Sequence, residues 1–220
     1  DMDDPATGLH YADMLEAKIL AEGPDSVLAF IVEPIGGAST GALVPPAGYM
    51  ARLRDICNRY GIILIHDEVM SGGGRTGRFF GGEHWDGAPD IITLSKGFGA
   101  GYAALGAVIA HERIVDAVMD AGGFAHGFTY AGNPLACATG LAVMQEIEAE
   151  GMIDNAAHIG DLLKARLQAL SQRFEIIGDH FLVCPPMIAT ADHVDEIIDV
   201  LTRSLAQFMD EITGKWPVAV

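Results

Sequence analysis

Three short apolar runs, each stopping at charged residues, constrain the fold of this chain more than any other feature. Val27-Leu28-Ala29-Phe30-Ile31-Val32 stops at Glu33-Pro34, Ile62-Ile63-Leu64-Ile65 stops at His66-Asp67-Glu68, and Ile91-Ile92-Thr93-Leu94 stops at Ser95-Lys96-Gly97. Such short runs bounded by turn formers read as strands covered on both faces, the habit of a parallel sheet. Between the first two, Pro45-Pro46 opens a helix whose apolar positions Tyr49, Leu53, Ile56 and Tyr60 return to one face, and Gly61 closes it. Strand, helix, strand makes one βαβ unit, so the strands point the same way. Parallel sheets gather their chemistry at the carboxyl ends of the strands. Glu33, Asp67 and Lys96 are therefore predicted to share one rim. An amine there is expected to be partly desolvated, which favours its neutral, nucleophilic form. A lysine that caps a strand and snorkels to water is the plainer alternative.

Other signals extend the pattern. Leu105-Gly106-Ala107-Val108-Ile109-Ala110 predicts a further strand, and after Asn133-Pro134 the chain turns helical over 135–150 and 155–173. The latter carries Ile159, Leu162, Leu163, Leu167 and Leu170 on one face. A last amphipathic helix is predicted over 191–212. A net charge of −17 argues against nucleic acid or anionic membranes as partners, since phosphate binding needs clustered Lys and Arg. No apolar stretch has the length of a membrane span, and Asp1-Met2-Asp3-Asp4 is not a secretory leader, so the expected location is cytoplasmic. The three cysteines, Cys57, Cys137 and Cys184, lie far apart in apolar surroundings and are expected to be reduced core residues.

Two motifs fit other chemistries in form only. Gly72-x-Gly74-x-x-Gly77 and Gly99-x-Gly101-x-x-Ala104 match a dinucleotide fingerprint, but neither opens a helix, and Asp90 precedes its strand where a ribose-binding acid should follow one. His66, Asp67 and Glu68 suggest a metal cluster, yet adjacent strand residues face opposite ways. No metal site is expected, and His66 reads as a satisfied structural histidine.

For Asp67 and Lys96 together, one chemistry needs both: a lysine can form an imine with pyridoxal phosphate, and a carboxylate must then keep the pyridine nitrogen protonated. Glu33-Pro34-Ile35-Gly36-Gly37, Leu64-Ile65-His66-Asp67-Glu68-Val69-Met70-Ser71-Gly72, Gly74-Arg75-Thr76-Gly77, Pro89-Asp90-Ile91-Ile92-Thr93-Leu94-Ser95-Lys96-Gly97 and Phe128-Thr129-Tyr130-Ala131-Gly132-Asn133-Pro134-Leu135-Ala136 occur in this order. Together they resemble the class III pyridoxal-phosphate-dependent aminotransferases, the group that includes omega-amino acid and amine:pyruvate transaminases.

The resemblance implies an α/β protein of the fold-type-I pyridoxal-phosphate transferase class, with a mostly parallel sheet in a large domain and a helical C-terminal part. Residues 1–150 would be part of the large cofactor-binding domain and 151–220 part of a small domain. It implies pyridoxal 5′-phosphate as cofactor, Lys96 as the lysine that carries it and shuttles the substrate proton, and Asp67 as partner of the pyridine nitrogen. Val69, two residues on and so on the same strand face, would pack against the ring. Thr129 would reach the phosphate of a neighbouring subunit's cofactor, which implies a homodimer with shared sites. Glu68 and Arg75 are expected to be structural. The implied reaction is ping-pong transfer of an amino group from an amine or amino acid to a 2-oxo acid. Decarboxylase or aminomutase chemistry, or a non-catalytic truncated dimerising fragment, are the alternatives.

The chain also departs from the family. The family's N-terminal phosphate-binding turn and ring-stacking aromatic have no counterpart here, and the string from Arg173 to Pro186 predicts an omission near 178–180, so the chain is expected to be incomplete. Glutamate-using members carry an acid soon after the Glu-Pro and an arginine just before the Pro-Pro. Gly36-Gly37-Ala38-Ser39-Thr40 and Phe181-Leu182-Val183-Cys184 hold neither. Arginine grips a carboxylate bidentately, so its absence predicts pyruvate-like acceptors over 2-oxoglutarate.

Overall fold

The computed structural model of the chain describes residues 4–174 and 183–215. The predicted omission near 178–180 lies outside the described residues. The three apolar runs form β1 (Ala29–Val32), β2 (Ile63–Asp67) and β3 (Ile91–Leu94), joined by β4 (Ala107–Ala110) in one sheet of order β1-β2-β3-β4. β1 pairs with β2 and β2 with β3 in parallel, whereas β4 runs antiparallel to β3. The sheet is thus mostly parallel, and Asp67 stands opposite Thr93, three residues before Lys96.

Two helices cover one face. α1 (Pro5–Glu22) starts at Asp4, whose carboxylate accepts the Ala6 N–H at 2.9 Å, with Pro5 preset for the first turn. α2 (Tyr49–Tyr60) begins later than the Pro45-Pro46 signal because Gly48, in a left-handed conformation, forms its N-cap. Gly61 ends it at φ 67°, a conformation that glycine adopts without Cβ strain. Ala12 and Ile19 of α1, Met50, Leu53, Ile56 and Cys57 of α2, and Ile62 and Leu64 around β2 make the main core. Burying each large aliphatic side chain contributes about 1.5–3 kcal/mol. The Glu16 carboxylate ties the two helices, accepting from Arg52, Arg59 and the Tyr60 hydroxyl.

Asp90 holds the opposite end of the sheet from Lys96. Its carboxylate accepts from the Leu64 N–H at 2.8 Å, Arg54 at 2.9 Å and Arg113, while its backbone bonds Leu64 and His111. Burial alone would raise its pKa, but the Leu64 N–H and then the two guanidinium groups outweigh it and hold the carboxyl below its ordinary value. An acid that resembled a ribose ligand by spacing is thus consumed in joining β2, β3, α2 and α3 (Glu112–Asp120).

The helical part comprises α4 (Pro134–Ala149), α5 (Met152–Arg173) and α6 (Ala191–Lys215). Ile159 and Leu163 of α5 meet Ala189 and Val194 in a second, smaller core, with Leu162 and Leu167 partly buried beside it. No helix among the described residues is long and apolar enough to cross a membrane. Of the cysteines only Cys57 is in the core; Cys137 and Cys184 are exposed, contrary to expectation. The apolar neighbours of Cys137 belong to a face that this chain does not cover, with Leu135 and Leu141 exposed on the same helix.

Candidate active site

At the carboxyl ends of β2 and β3 lies a cleft of about 350 Å³. Lys96 and Val69 both line it, with Gly72, Gly73 and Gly97 around them. The sheet places Lys96 there because β3 ends at Leu94 and the chain turns at once into a 3-10 turn over Lys96–Gly99. Lys96 has φ 44°, inside the left-handed region that a residue with a Cβ adopts at a cost of about 1–3 kcal/mol. Its Nζ lies 2.8 Å from Met70 Sδ. The side chain is exposed, so the expected desolvation is not met within the single chain: the cleft is open above it.

Asp67 closes β2, and its carboxylate accepts the Val69 N–H at 3.1 Å. It is not part of the cleft lining. Val69 reaches the cleft for a reason other than strand alternation. β2 has ended at Asp67, and residues 69–76 run through turns, so the turn aims both Val69 and Met70 into the same space. Glu33, the third rim residue, accepts the Gly37 N–H at 2.9 Å and so closes the turn that carries Gly36 and Gly37 into the cleft wall.

Glu68 faces the other way, is 1% exposed, and is fully engaged: Ser71 Oγ, Gly81 N and Gly82 N donate to it at 2.5, 2.8 and 2.7 Å. Gly82 must be glycine on packing grounds, since a Cβ there would lie 2.6 Å from His66 Nδ1. His66 is buried but not satisfied; among the described residues neither ring nitrogen has a hydrogen-bond partner. Burial, and after it the nearby Arg54 charge, push its pKa down to about 4. Arg75 donates to the Pro185 carbonyl at 2.8 Å and draws residues 183–187 over the cleft, where Val183, Cys184 and Met187 complete the lining. Residues 183–187 and Met70 were not named as cleft residues, although the resemblance tied Val183-Cys184 to the acceptor and included Met70 in a motif: the first wall arrives from far along the chain, and the second depends on where β2 stops.

Thr129 is elsewhere. It is exposed on the segment before α4, next to a second cavity of about 600 Å³ that Phe128, Tyr130, Leu105 and Leu135 help to line. Lys96 and Thr129 do not share a cavity within one chain.

The fold recurs in solved enzymes. The fold superposes on an amine transaminase from an uncultivated Pseudomonas species, determined in a PLP-bound form, with TM-score 0.86 and 35% identity over 93% of this chain and 58% of that one. The architecture is that of the fold-type-I pyridoxal-phosphate transferases. Residues 5–180 match the family described as aminotransferase class-III, and the chain belongs to that family. It is 34% identical to an omega-aminotransferase of Caulobacter vibrioides over 92% of this chain and 56% of the relative. To a diaminobutyrate–2-oxoglutarate transaminase of Halomonas elongata it is 42% identical, over 92% of this chain and 45% of the relative. The chain therefore spans about half the length of these curated relatives. The Caulobacter alignment runs over 248 positions, more than the 220 residues here, so that relative holds internal residues without counterpart in this chain.

Proposed function

We propose that the protein is a pyridoxal 5′-phosphate-dependent aminotransferase in which Lys96 carries the cofactor. The observation that supports this most is the placement of Lys96 Nζ and Val69 on one glycine-lined cleft at the carboxyl ends of parallel β2 and β3. The residues fit the group: an apolar wall for a flat ring, a reachable amine, and space that side chains larger than glycine would narrow. The cofactor supplies an electron sink for the carbanion left when an amino-bearing carbon loses its proton.

The chain's own residues do the rest. With the group bound, the Lys96 amine would hold it, and its Nζ would move the proton that the substrate carbon gives up. Asp67 would pair with the pyridine nitrogen: one carboxylate oxygen accepts the Val69 N–H, and the other has no partner among the described residues. Val69 packs on the ring. Residues 1–150 act as the cofactor-binding part and 151–220 as part of a small domain whose segment 183–187 covers the site.

The assembly we infer is a homodimer in which Thr129 serves the neighbour's phosphate. Tyr102, Phe124, Phe128, Tyr130 and Leu135 are all exposed in the single chain, and Phe128, Tyr130 and Leu135 line one cavity, an apolar surface of the kind a partner covers. A cytoplasmic setting accords with cysteines that form no disulfide among the described residues. Substrates are amines or amino acids and a 2-oxo acid, with pyruvate favoured because no arginine precedes Pro185-Pro186.

The test is transfer of amino nitrogen from a simple amine donor with pyruvate or 2-oxoglutarate as acceptor, read as amino acid product and as kcat/KM for each. Amino acid formed only with added pyridoxal phosphate is expected, faster with pyruvate. A clear preference for 2-oxoglutarate overturns the acceptor assignment; no transfer with any donor overturns the activity.

A further inference from the structure

We propose that Met70 is a positioning residue for the Lys96 amine, holding it in the cleft through a neutral contact; this rests on the reading of Lys96 as the amine that takes the cofactor. A lysine on a four-carbon stem samples many rotamers, and fixing it for attack costs up to about 2 kcal/mol of side-chain entropy unless a contact holds it. Met70 Sδ supplies that contact at 2.8 Å from Nζ. A thioether accepts a hydrogen bond weakly and carries no charge, so it gives the amine a resting place without the ion pair that a carboxylate would impose. The rest of the cleft is consistent with this. Among the described residues lining it there is no carboxylate, and its second cation, Arg75, donates to the Pro185 carbonyl.

The Gly37 turn lies beside Met70: a Cβ built on Gly37 would come to ordinary van der Waals distance of Met70 Cγ, 3.5 Å, and to 3.3 Å from Glu33 Oε1. The Gly37 N–H is in turn fixed by Glu33 Oε2 at 2.9 Å. Glu33 therefore acts at this rim through the turn that backs Met70. On the other side, the left-handed φ of Lys96 sets the direction in which its stem leaves the backbone. Strain at Lys96 and support at Met70 converge on one atom, Nζ.

Reductive trapping with pyridoxal 5′-phosphate and cyanoborohydride reads the amine directly. The neutral lysine adds to the aldehyde carbon, water leaves, and hydride converts the C=N bond to a stable secondary amine that peptide mass analysis locates. Wild type, Met70→Leu and Met70→Glu are compared for the rate of label at Lys96 across pH. Leucine conserves volume and keeps the site packed. Met70→Leu is expected to slow labelling about fivefold with the pH midpoint unchanged, as the loss of one weak hydrogen bond implies. Met70→Glu is expected to raise the midpoint by about one pH unit or more, because an adjacent carboxylate favours the ammonium. Label on Lys96 in all three proteins with equal rates and midpoints overturns the inference while leaving the assignment of Lys96 intact. Wild-type label on a different lysine overturns both.

Discussion

At the end of β2 two adjacent carboxylates meet different surroundings. Glu68 is buried and accepts from Ser71, Gly81 and Gly82, so its lone pairs are directed into the fold. Asp67 is half-buried and accepts from the Val69 N–H, which leaves capacity for a ligand. The same division separates the basic groups: Arg54 and Arg113 are bound to Asp90, whereas Lys96 rests on a thioether. The carboxylates that hold the sheet together, Glu68 and Asp90, have their partners inside the fold, even though Arg54 Nε and both His66 ring nitrogens are buried without a partner among the described residues. Lys96 in the cleft and Asp67 at the end of β2 are each held by one contact and keep capacity for a ligand, which is the condition a reacting group needs.

Substitutions on the two sides should therefore fail in different ways. Lys96→Ala should lower steady-state transamination by about 10⁴-fold or more, equivalent to about 5 kcal/mol, with unfolding unchanged. Glu68→Ala should do the reverse, costing about 3–5 kcal/mol in denaturant unfolding because two backbone N–H groups and a hydroxyl lose their partner in the interior. A Glu68→Ala protein with wild-type stability and lost activity would place Glu68 on the chemical side and break the comparison.

His66 sharpens the structural side through pH. Its folded pKa lies near 4, below the ordinary 6.5, so the fold contains the neutral ring and the unfolded chain takes up the proton first. The contribution is whole above pH 6.5 and is lost progressively as pH falls toward about 4, by up to about 3 kcal/mol. Thermal melts of wild type and His66→Leu over that range check it: the wild type should lose more stability on acidification, and parallel curves would count against a buried neutral ring. Asp67→Asn carries the smallest of these effects, about 10²-fold in rate, since an amide cannot keep the pyridine nitrogen protonated. Its melting temperature should stay within about 2 °C of wild type, as expected for a half-buried group outside the core.

The strands were readable as unbroken apolar runs, although coverage on both faces is not met within this chain: β1 alternates exposed and half-buried residues, with Ile31 exposed. Glu33, Asp67 and Lys96 were readable because each follows such a run. α1 and α3 carried weaker signals. The apolar residues of α1 spread around the helix, with Leu9, Tyr11, Met14 and Leu20 all exposed, and no buried face marks α3. The cleft was legible only in part. Lys96 and Val69 line one cleft, but the contact of Met70 depends on β2 stopping at Asp67, and the wall at 183–187 depends on a tertiary bond from Arg75. Local pattern does not encode either. The unsatisfied ring of His66 follows from the close approach of Gly82, which spacing along the chain does not reveal.

The central claim is that Lys96, of the four lysines in the chain, is the reacting amine. Borohydride reduction of the protein with bound pyridoxal phosphate, followed by peptide mapping, tests it most directly. The cofactor mass should appear on the peptide containing Lys96 at about one per chain and vanish when excess amine donor is added before reduction. Label on Lys18, Lys164 or Lys215, or label at Lys96 that an amine donor does not displace, would contradict the account.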